Sequence, residues 1–472
     1  MSDDTNAKSS GRDYRDTVFL PKTAFPMKAG LPQKEPGIAA RWQDMDLYRS
    51  MREARSGREK FILHDGPPYA NGDMHIGHAL NHILKDTVCR TQNLMGKDAP
   101  YVPGWDCHGL PIEWKVEEQY RKKKKNKDEV PAREFRAECR AYAQKWVDTQ
   151  REQLKRLGIM GDWDNPYLTM DFQAEATIVA ELCKFAEAGN LYRGSKPVMW
   201  SPVEKTALAE AEVEYEDLTD SPQIDLAFEI TECPNVPELV GAHAVIWTTT
   251  PWTIPVNQAL AYGSEIEYAL VQEEERIDSE EDTWVESGRY VVASDLVDAL
   301  NGRMKESEDQ NLLRFKVRET FLGSELKGAK AVHPMWKLGG FYEAPRPFLE
   351  GDFVTTDSGT GLVHMSPDHG EDDFELCKAN GINPVFAVMD DGRYRDDWLW
   401  LGADDTDEDG KERRRSVINK PFNSPEGPIC SDLRAAGALL SASADYEHSY
   451  PHSWRSKAKV IYRCTPQWFV PM

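Results

Sequence analysis

Apolar positions in the first 200 residues recur mostly at helical spacing, whereas beyond about Lys196 they fall into short β-like runs. Pro21, Pro26, Pro32 and Pro36 precede a helical pattern from Gly37 to about Arg55, with Ile38, Trp42, Met45 and Tyr48 on one side. The apolar run Phe61-Ile62-Leu63-His64 predicts a short strand. It breaks into Asp65-Gly66-Pro67-Pro68-Tyr69-Ala70-Asn71-Gly72, after which a long helix is predicted from near His75 to about Met95. Strand, Gly/Pro loop and helix make half of a βαβ unit. A second apolar segment, Tyr101-Val102-Pro103, leads into Gly104-Trp105-Asp106-Cys107-His108-Gly109. Helices then fill much of residues 111 to 190, interrupted by the basic run Arg121 to Lys125. In the second part, Ala244 to Thr250 and Tyr290 to Ala293 read as strands between Pro, Gly and acid clusters. The boundary between the helical α/β part and the β-rich part falls close to residue 200.

Charge sharpens this division. The 472 residues carry 57 Lys+Arg against 80 Asp+Glu, a formal net charge of −23. Such a chain does not coat nucleic acid through uniform basic charge. The first 200 residues are close to neutral and the excess of acid lies between 201 and 450, so a polyanionic partner is expected at local surfaces. The acid clusters at 273–282 and 390–409 read as solvated loops rather than metal sites. At this length two or three domains are expected. Mean hydropathy is −0.62 and no run approaches 18 apolar residues, so no membrane span is expected. The polar stretch Met1 to Arg15 lacks the apolar core of a signal peptide, which places the protein in the cytoplasm. Eight scattered cysteines without a C-x-x-C pair point to buried, reduced thiols and to neither a zinc knuckle nor a redox pair.

The most informative stretch is His64 to His78. A helix N-terminus offers unpaired N–H groups and partial positive charge, a natural seat for phosphates. His75 and His78 are three apart and share one face of the first turns. Gly77 leaves room for a flat ligand against the backbone. Two imidazole donors at such a place can stabilise charge developing on a phosphoryl group.

The string HDGPPYANGDMHIGHAL resembles the "HIGH" nucleotide-binding signature of the class I aminoacyl-tRNA synthetases, in the form found in the isoleucine-specific branch, with the valine-specific branch as runner-up. The resemblance extends through Gly104 to Glu113, Leu208 to Tyr215, Trp247 to Asn257 and Thr465 to Phe469, nearly the whole chain. It implies an α/β fold: the first half of a class I Rossmann-type catalytic domain with an inserted β-rich editing (CP1) domain. The implied layout is a leading extension and helix at 1–58, the Rossmann half at 59–196, the editing domain and hinge at 197–450, and a returning ribbon at 451–472. The implied activity is ATP-dependent activation of isoleucine, with Mg2+ accompanying ATP, and transfer to tRNA-Ile by a monomer. His75 and His78 would hold the ATP phosphates and Gly77 would lie under the adenine. Asp106 would pair with the substrate ammonium, and Pro67 would form part of the isoleucine pocket.

Isoleucine and valine differ by one methylene, worth only about 1–3 kcal/mol in a hydrophobic pocket, and this pair is the standard case of that limit. A second, hydrolytic site is therefore needed. The resemblance assigns it to the acidic middle: Thr248, Thr249 and Thr250 would position the ester, the terminal adenosine and a water, with Trp252 and Asn257 in the same wall. His364 would admit valine and exclude isoleucine, and Asp373, nine residues on, would fix the valyl ammonium.

Two departures stand out. Some bacterial relatives carry a cysteine pair just after the position of Trp200, where this chain has Ser201 and Glu204, so no metal, and no zinc, is expected in that hinge. The lysine-rich "KMSKS" loop of the family is also missing: neither Arg121 to Lys125 nor Lys411 to Arg415 matches it. The basic run at 121 reads as a solvated helix end. The 472 residues alone are accordingly expected not to form adenylate. The alternatives are an editing-only deacylase and a non-catalytic tRNA-binding paralogue.

Overall fold

The computed structural model describes residues 14–19, 24, 29–278, 283–307, 313–400 and 416–471. The first thirteen residues, Pro21, Pro26, residues 279–282 and 401–409 of the two acid clusters, and the run Lys411 to Arg415 lie outside them. Two compact units result, Met1–Lys184 and Phe185–Met472.

In the first unit the leading helical pattern is two helices, α1 (Leu31–Asp44) and α2 (Leu47–Ala54). Pro32 fits the first turn of α1, where its missing N–H is not needed, so the helix begins six residues before Gly37. Asp46 adopts φ 44°, a left-handed conformation that ends the run. This break leaves Met45 exposed instead of aligned with Trp42 and Tyr48. Helix α3 (Ile76–Leu94) follows the Gly/Pro loop with His75 as its N-cap. The predicted strand at Phe61–His64 is an extended segment rather than a laddered strand. It is held at its start by a parallel bridge between Lys60 and Asp98, and the loop after it by a second, between Tyr69 and Asp106. Pro67 and Pro68 have no N–H with which to continue a ladder. Strand β1 (Gly104–Trp105) pairs in parallel with β2 (Tyr167–Leu168). Around them stand α4 (Leu110–Lys122), α5 (Ala132–Arg156) and α6 (Phe172–Glu187). Tyr101, Trp105, Ile112, Val147 and Leu154 form the core. The run Arg121 to Lys125 is exposed at the C-terminal end of α4, where cations suit the helix dipole.

The second unit opens with β3 (Tyr192–Ser201) and β4 (Thr206–Ala207) and continues with β5 (Val213–Glu232), β6 (His243–Thr248), β7 (Ala259–Tyr262), β8 (Glu267–Asp278) and β9 (Thr283–Ala293). Helix α7 (Val297–Ser307), β10 (Leu313–Leu322), β11 (Lys330–Ala331), β12 (Arg346–Glu350), β13 (Leu362–Met365) and α8 (Glu371–Ala379) come next. Helices α9 (Lys420–Asn423) and α10 (Pro428–Ala435), then β14 (Leu439–Ser453) and β15 (Ile461–Phe469), complete it. One mixed sheet runs β10-β8-β9-β6-β5-β11-β12-β7-β13, with β14 also on β5. Ile224, Leu226, Phe228 and Ile230 share one face of β5 and are fully buried, and Asp225 and Ala227 between them are buried as well, so this stretch of the strand is covered on both faces. The register of β15 on β3 runs from Ile461 opposite Trp200 to Phe469 opposite Tyr192, so the incoming and returning chains form one antiparallel ribbon.

At the inner end of that ribbon sits Glu204, 5% exposed. Its carboxylate accepts the Ser453 hydroxyl at 2.8 and 2.9 Å and the Ser456 N–H at 3.1 Å, tying the start of the inserted region to its end. Among the described residues no group of three His, Cys, Asp or Glu could hold a metal ion. No helix among them is long and apolar enough to cross a membrane.

Candidate functional site

The start of α3 is built by two histidines that cap it reciprocally. His75 Nδ1 accepts the N–H groups of Gly77 (3.1 Å) and His78 (3.4 Å), while the His75 N–H donates to His78 Nδ1 at 3.3 Å. The rings stack with centroids 3.8 Å apart. A ring nitrogen that accepts a backbone N–H carries no proton, so both imidazoles are held as the Nε2–H tautomer. Burial and the neighbouring His75 and Lys85 push the pKa of His78 down, which favours that neutral form. A Cβ at Gly77 would stand 3.0 Å from His75 Cε1, so the glycine is what lets the His75 ring fold onto the helix. One and two turns on, buried His82 and Lys85 continue the same face, and Lys85 is ion-paired with Asp65.

The loop before α3 is clamped by α5. Gln150 is 1% exposed within the apolar stripe Ala143, Val147, Leu154. Its Oε1 accepts Trp105 Nε1 at 2.8 Å, and its Nε2 donates to the Tyr69 and Gly72 carbonyls at 3.2 and 2.8 Å. Gln153 accepts the Met74 N–H at 2.9 Å, and Tyr142 donates to Asn71 Oδ1 at 2.8 Å. Asp106 is fixed on the other side: its N–H donates to the Pro68 carbonyl at 2.8 Å, and its Oδ1 accepts from the His108 N–H and the Thr169 hydroxyl. Among the described residues its Oδ2 accepts no hydrogen bond. Pro67 backs onto Gly104, where an added Cβ would come within 3.3 Å of it.

In the second unit, Pro251–Val256 is a fully buried 3-10 turn after β6. Buried carbonyls need donors, and side chains from distant positions supply them. Tyr394 donates to the Trp252 carbonyl, Ser366 to that of Thr253 (2.9 Å), His333 to that of Ile254 (3.0 Å) and Tyr342 to that of Pro255 (2.9 Å). On this pedestal the Thr248 hydroxyl accepts the Thr250 N–H at 3.0 Å and lies 3.1 Å from the Thr250 hydroxyl. Thr249 and Thr250 are half-buried. Thr253 Oγ1 donates to the Thr250 carbonyl at 2.8 Å and meets His364 Nε2 at 3.1 Å. Since that hydroxyl proton is already engaged, His364 is the donor. Burial lowers the pKa of His364 to about 4, keeping it neutral. Asp373, in the first turn of α8, accepts the Ser366 N–H at 2.7 Å and is pushed up to about 7 by burial, with Asp372 adding to the effect. Behind the wall, Arg303 makes a bidentate pair with fully buried Asp225 (2.7 and 2.8 Å) and also holds the Gly359 carbonyl.

The family model for tRNA synthetases class I (I, L, M and V) matches residues 37–472. The chain belongs to this family. It is 61% identical over its whole length to an isoleucine–tRNA ligase of Zymomonas mobilis, covering 47% of that protein. It is 50% identical to the isoleucine–tRNA ligases of Gluconobacter oxydans, over 97% of this chain and 46% of that protein, and of Agrobacterium fabrum, over 98% and 47%. The chain thus spans about half the length of the curated relatives it matches.

Within this class I tRNA synthetase chain, the structure brings His75, Gly77 and His78 together at one helix start, and Pro67 and Asp106 onto neighbouring parallel segments. It brings Thr248 and Thr250 together, links them through Thr253 to His364, and links Asp373 through Ser366 to the same turn. Trp252 and Asn257 stand in the same segment, held by contacts within the domain. The Trp252 ring, 4% exposed, packs edge-on against His369, and fully buried Asn257 donates to the Ala259 and Met365 carbonyls. Gln150, Tyr142, Ser366, His333, Tyr342 and Tyr394 escaped the reading of the sequence. Only Gln150 left a signal there, as an amide in an otherwise apolar helical stripe.

Proposed function

We propose that the chain supplies the nucleotide-binding histidine face and the editing domain of an isoleucine–tRNA ligase. The observation that carries this reading is the reciprocal histidine cap. It leaves two Nε2–H donors at a helix start, and phosphates favour such a place. ATP would bind there with Mg2+ on its phosphates, the usual manner for nucleotide sites. Asp106 Oδ2 would take the isoleucine ammonium and Pro67 one side of its side chain. Residues 1–58 would lead into a catalytic half at 59–196, with the editing domain and hinge at 197–450 and the ribbon at 451–472. The whole protein would act as a cytoplasmic monomer on tRNA-Ile.

In the editing domain, a valyl ester would be held by its ammonium at Asp373, with the hydroxyls of Thr248 to Thr250 positioning the ester and a water. Hydrolysis of an activated ester needs mainly held ends and a placed water, and Trp252, Asn257 and His364 would shape the walls. The test is deacylation of Val-tRNA-Ile by the 472-residue chain and by Asp373→Asn. Turnover by the first and loss in the second supports the reading, and equal rates refute the site. Isoleucine-dependent ATP–pyrophosphate exchange by the 472 residues alone is expected to be absent, and its detection would refute the need for the second lysine-rich loop.

A further inference from the structure

The outer edge of the ribbon is covered at one place. On the side of β15 away from β3, the Tyr462 carbonyl and the Cys464 N–H are taken by the turn that follows β13. The His369 imidazole donates through Nδ1 to the Tyr462 carbonyl at 2.7 Å, and the Asp368 carbonyl accepts the Cys464 N–H at 2.7 Å. Residues two apart on a strand turn their backbone groups to the same side, so the turn satisfies an edge that would otherwise need a partner. Burial pushes the His369 pKa down, and the neutral ring carries its one proton on the nitrogen that donates. The turn itself is tight. The His369 N–H closes it on the Ser366 carbonyl at 2.8 Å, and the buried Asp368 carboxylate accepts the Val385 and Phe386 N–H groups at 2.9 and 2.7 Å. At its head, Ser366 joins two parts of the candidate editing site: its hydroxyl donates to the Thr253 carbonyl at 2.9 Å, and its N–H to Asp373 at 2.7 Å.

We infer that His369 is a positioning residue for ester hydrolysis: by fastening the Ser366–His369 turn to β15, it sets the place of the Asp373 carboxyl relative to the threonine segment. The inference rests on the editing reading and adds the ribbon to the parts that determine that site's geometry. The ring also meets Trp252 edge-on, with centroids 4.6 Å apart, so its packing and its hydrogen bond must be told apart. Placement depends on the bond. Loss of the donor strands the Tyr462 carbonyl and removes one of the two holds between turn and ribbon. A shift of Ser366 then moves the carboxyl that would take the ammonium. Because that group would hold the substrate in the ground state and the transition state alike, the loss falls on KM more than on kcat.

Two substitutions separate the contributions. His369→Phe keeps a ring against Trp252 but cannot donate, whereas His369→Asn gives up the ring and keeps an N–H at the position of Nδ1. In deacylation of Val-tRNA-Ile by the full chain, KM should rise roughly tenfold in His369→Phe, with kcat changed far less, and return to within about threefold of the wild type in His369→Asn. Amide exchange read by mass spectrometry should follow the same order, faster over 366–373 and 461–465 in His369→Phe than in His369→Asn. His369→Leu, equally unable to donate, takes the place of His369→Phe should that variant not fold. Wild-type KM and exchange in the variant without the donor, or a His369→Asn as impaired as that variant, overturns the inference. Absence of turnover in the wild type counts against the editing reading alone, and the order of amide exchange then decides whether the bond holds the turn.

Discussion

Asp373→Asn tests the least ordinary electrostatic feature of the molecule. The Asp373 carboxyl is pushed up to about 7 by burial, from an ordinary value of 3.8. The folded state therefore holds its proton more tightly than the unfolded chain. The resulting stability is fully present below pH about 4 and is lost as pH rises through 7. Between pH 5.5 and pH 8 the two values give a loss of about 2 kcal/mol at ~1.4 kcal/mol per pKa unit. Some solvent reaches the residue, so roughly 1–2 kcal/mol is the expectation. Asparagine keeps an oxygen for the Ser366 N–H, 2.7 Å from the carboxylate, but does not titrate. The difference in stability between wild type and Asp373→Asn isolates this group from every other that titrates in the window. Urea unfolding followed by tryptophan fluorescence at pH 5.5, 6.5, 7.5 and 8 keeps clear of the isoelectric region near 5.0. The variant should gain on the wild type by about 1–2 kcal/mol across that range, most of it below pH 7.5. A difference that stays flat with pH would refute the argument, whatever the variant does to deacylation.

Other expectations follow from single contacts. Gln150→Leu leaves the Gly72 carbonyl and the Trp105 N–H without their partner and the Tyr69 carbonyl with the Asn71 N–H alone; it should destabilise the first unit by about 2–3 kcal/mol and speed amide exchange at 69–74, read by thermal unfolding and hydrogen exchange. Glu204→Ala removes the acceptor of Ser453 and Ser456 and should cost about 1–3 kcal/mol in the second unit, with Glu204→Gln between it and the wild type in a urea titration. Arg303→Leu strands the Asp225 carboxylate and should cost about 3–5 kcal/mol, more than Arg303→Leu combined with Asp225→Leu. His75→Gln removes a ring that holds the His78 pKa down, so the His78 resonance should titrate at higher pH than in the wild type when followed by NMR.

The sequence shows its organisation where periodicity and turn chemistry agree. The strand-like segment, Gly/Pro loop and long helix from Phe61 to Met95 stand in the predicted order, as do the strands at 244–248, two residues shorter than expected, and 290–293. What it hides depends on backbone geometry or on partners far away in the chain. The break between α1 and α2 rests on a left-handed Asp46, and nothing in the apolar spacing marks it. Phe61–His64 has strand composition, yet its ladder is limited by the prolines that follow. The pedestal beneath Thr248 to Thr250 is supplied by His333, Ser366, Tyr342 and Tyr394, between 87 and 142 residues away for Tyr342 and Tyr394. Buried carbonyls must find donors, but a sequence does not say which. The same limit hides what holds Trp252 and Asn257 in that wall, the His369 ring for one and the Ala259 and Met365 carbonyls for the other.

The two proposed ammonium sites illustrate how one chemical task is met under different constraints. Asp106 lies on a half-buried loop, is steadied by the Thr169 hydroxyl and the His108 N–H, and keeps one oxygen open. Asp373 is sunk against the first turn of α8, where a standing negative charge costs several kcal/mol and is avoided by holding a proton. An arriving ammonium supplies the missing counter-charge, so binding at Asp373 would release that proton, whereas a neutral ligand would find a neutral acid and no ion to pair with. Discrimination at such a site lies in the change of protonation as much as in shape. It also makes affinity for a cationic valyl ester rise with pH up to about 7 and fall again as the ligand's own α-ammonium loses its proton at about pH 7.7–8.0, a dependence that deacylation KM measured from pH 5.5 to 8 would reveal. A KM indifferent to pH over that range would assign the ammonium to another group.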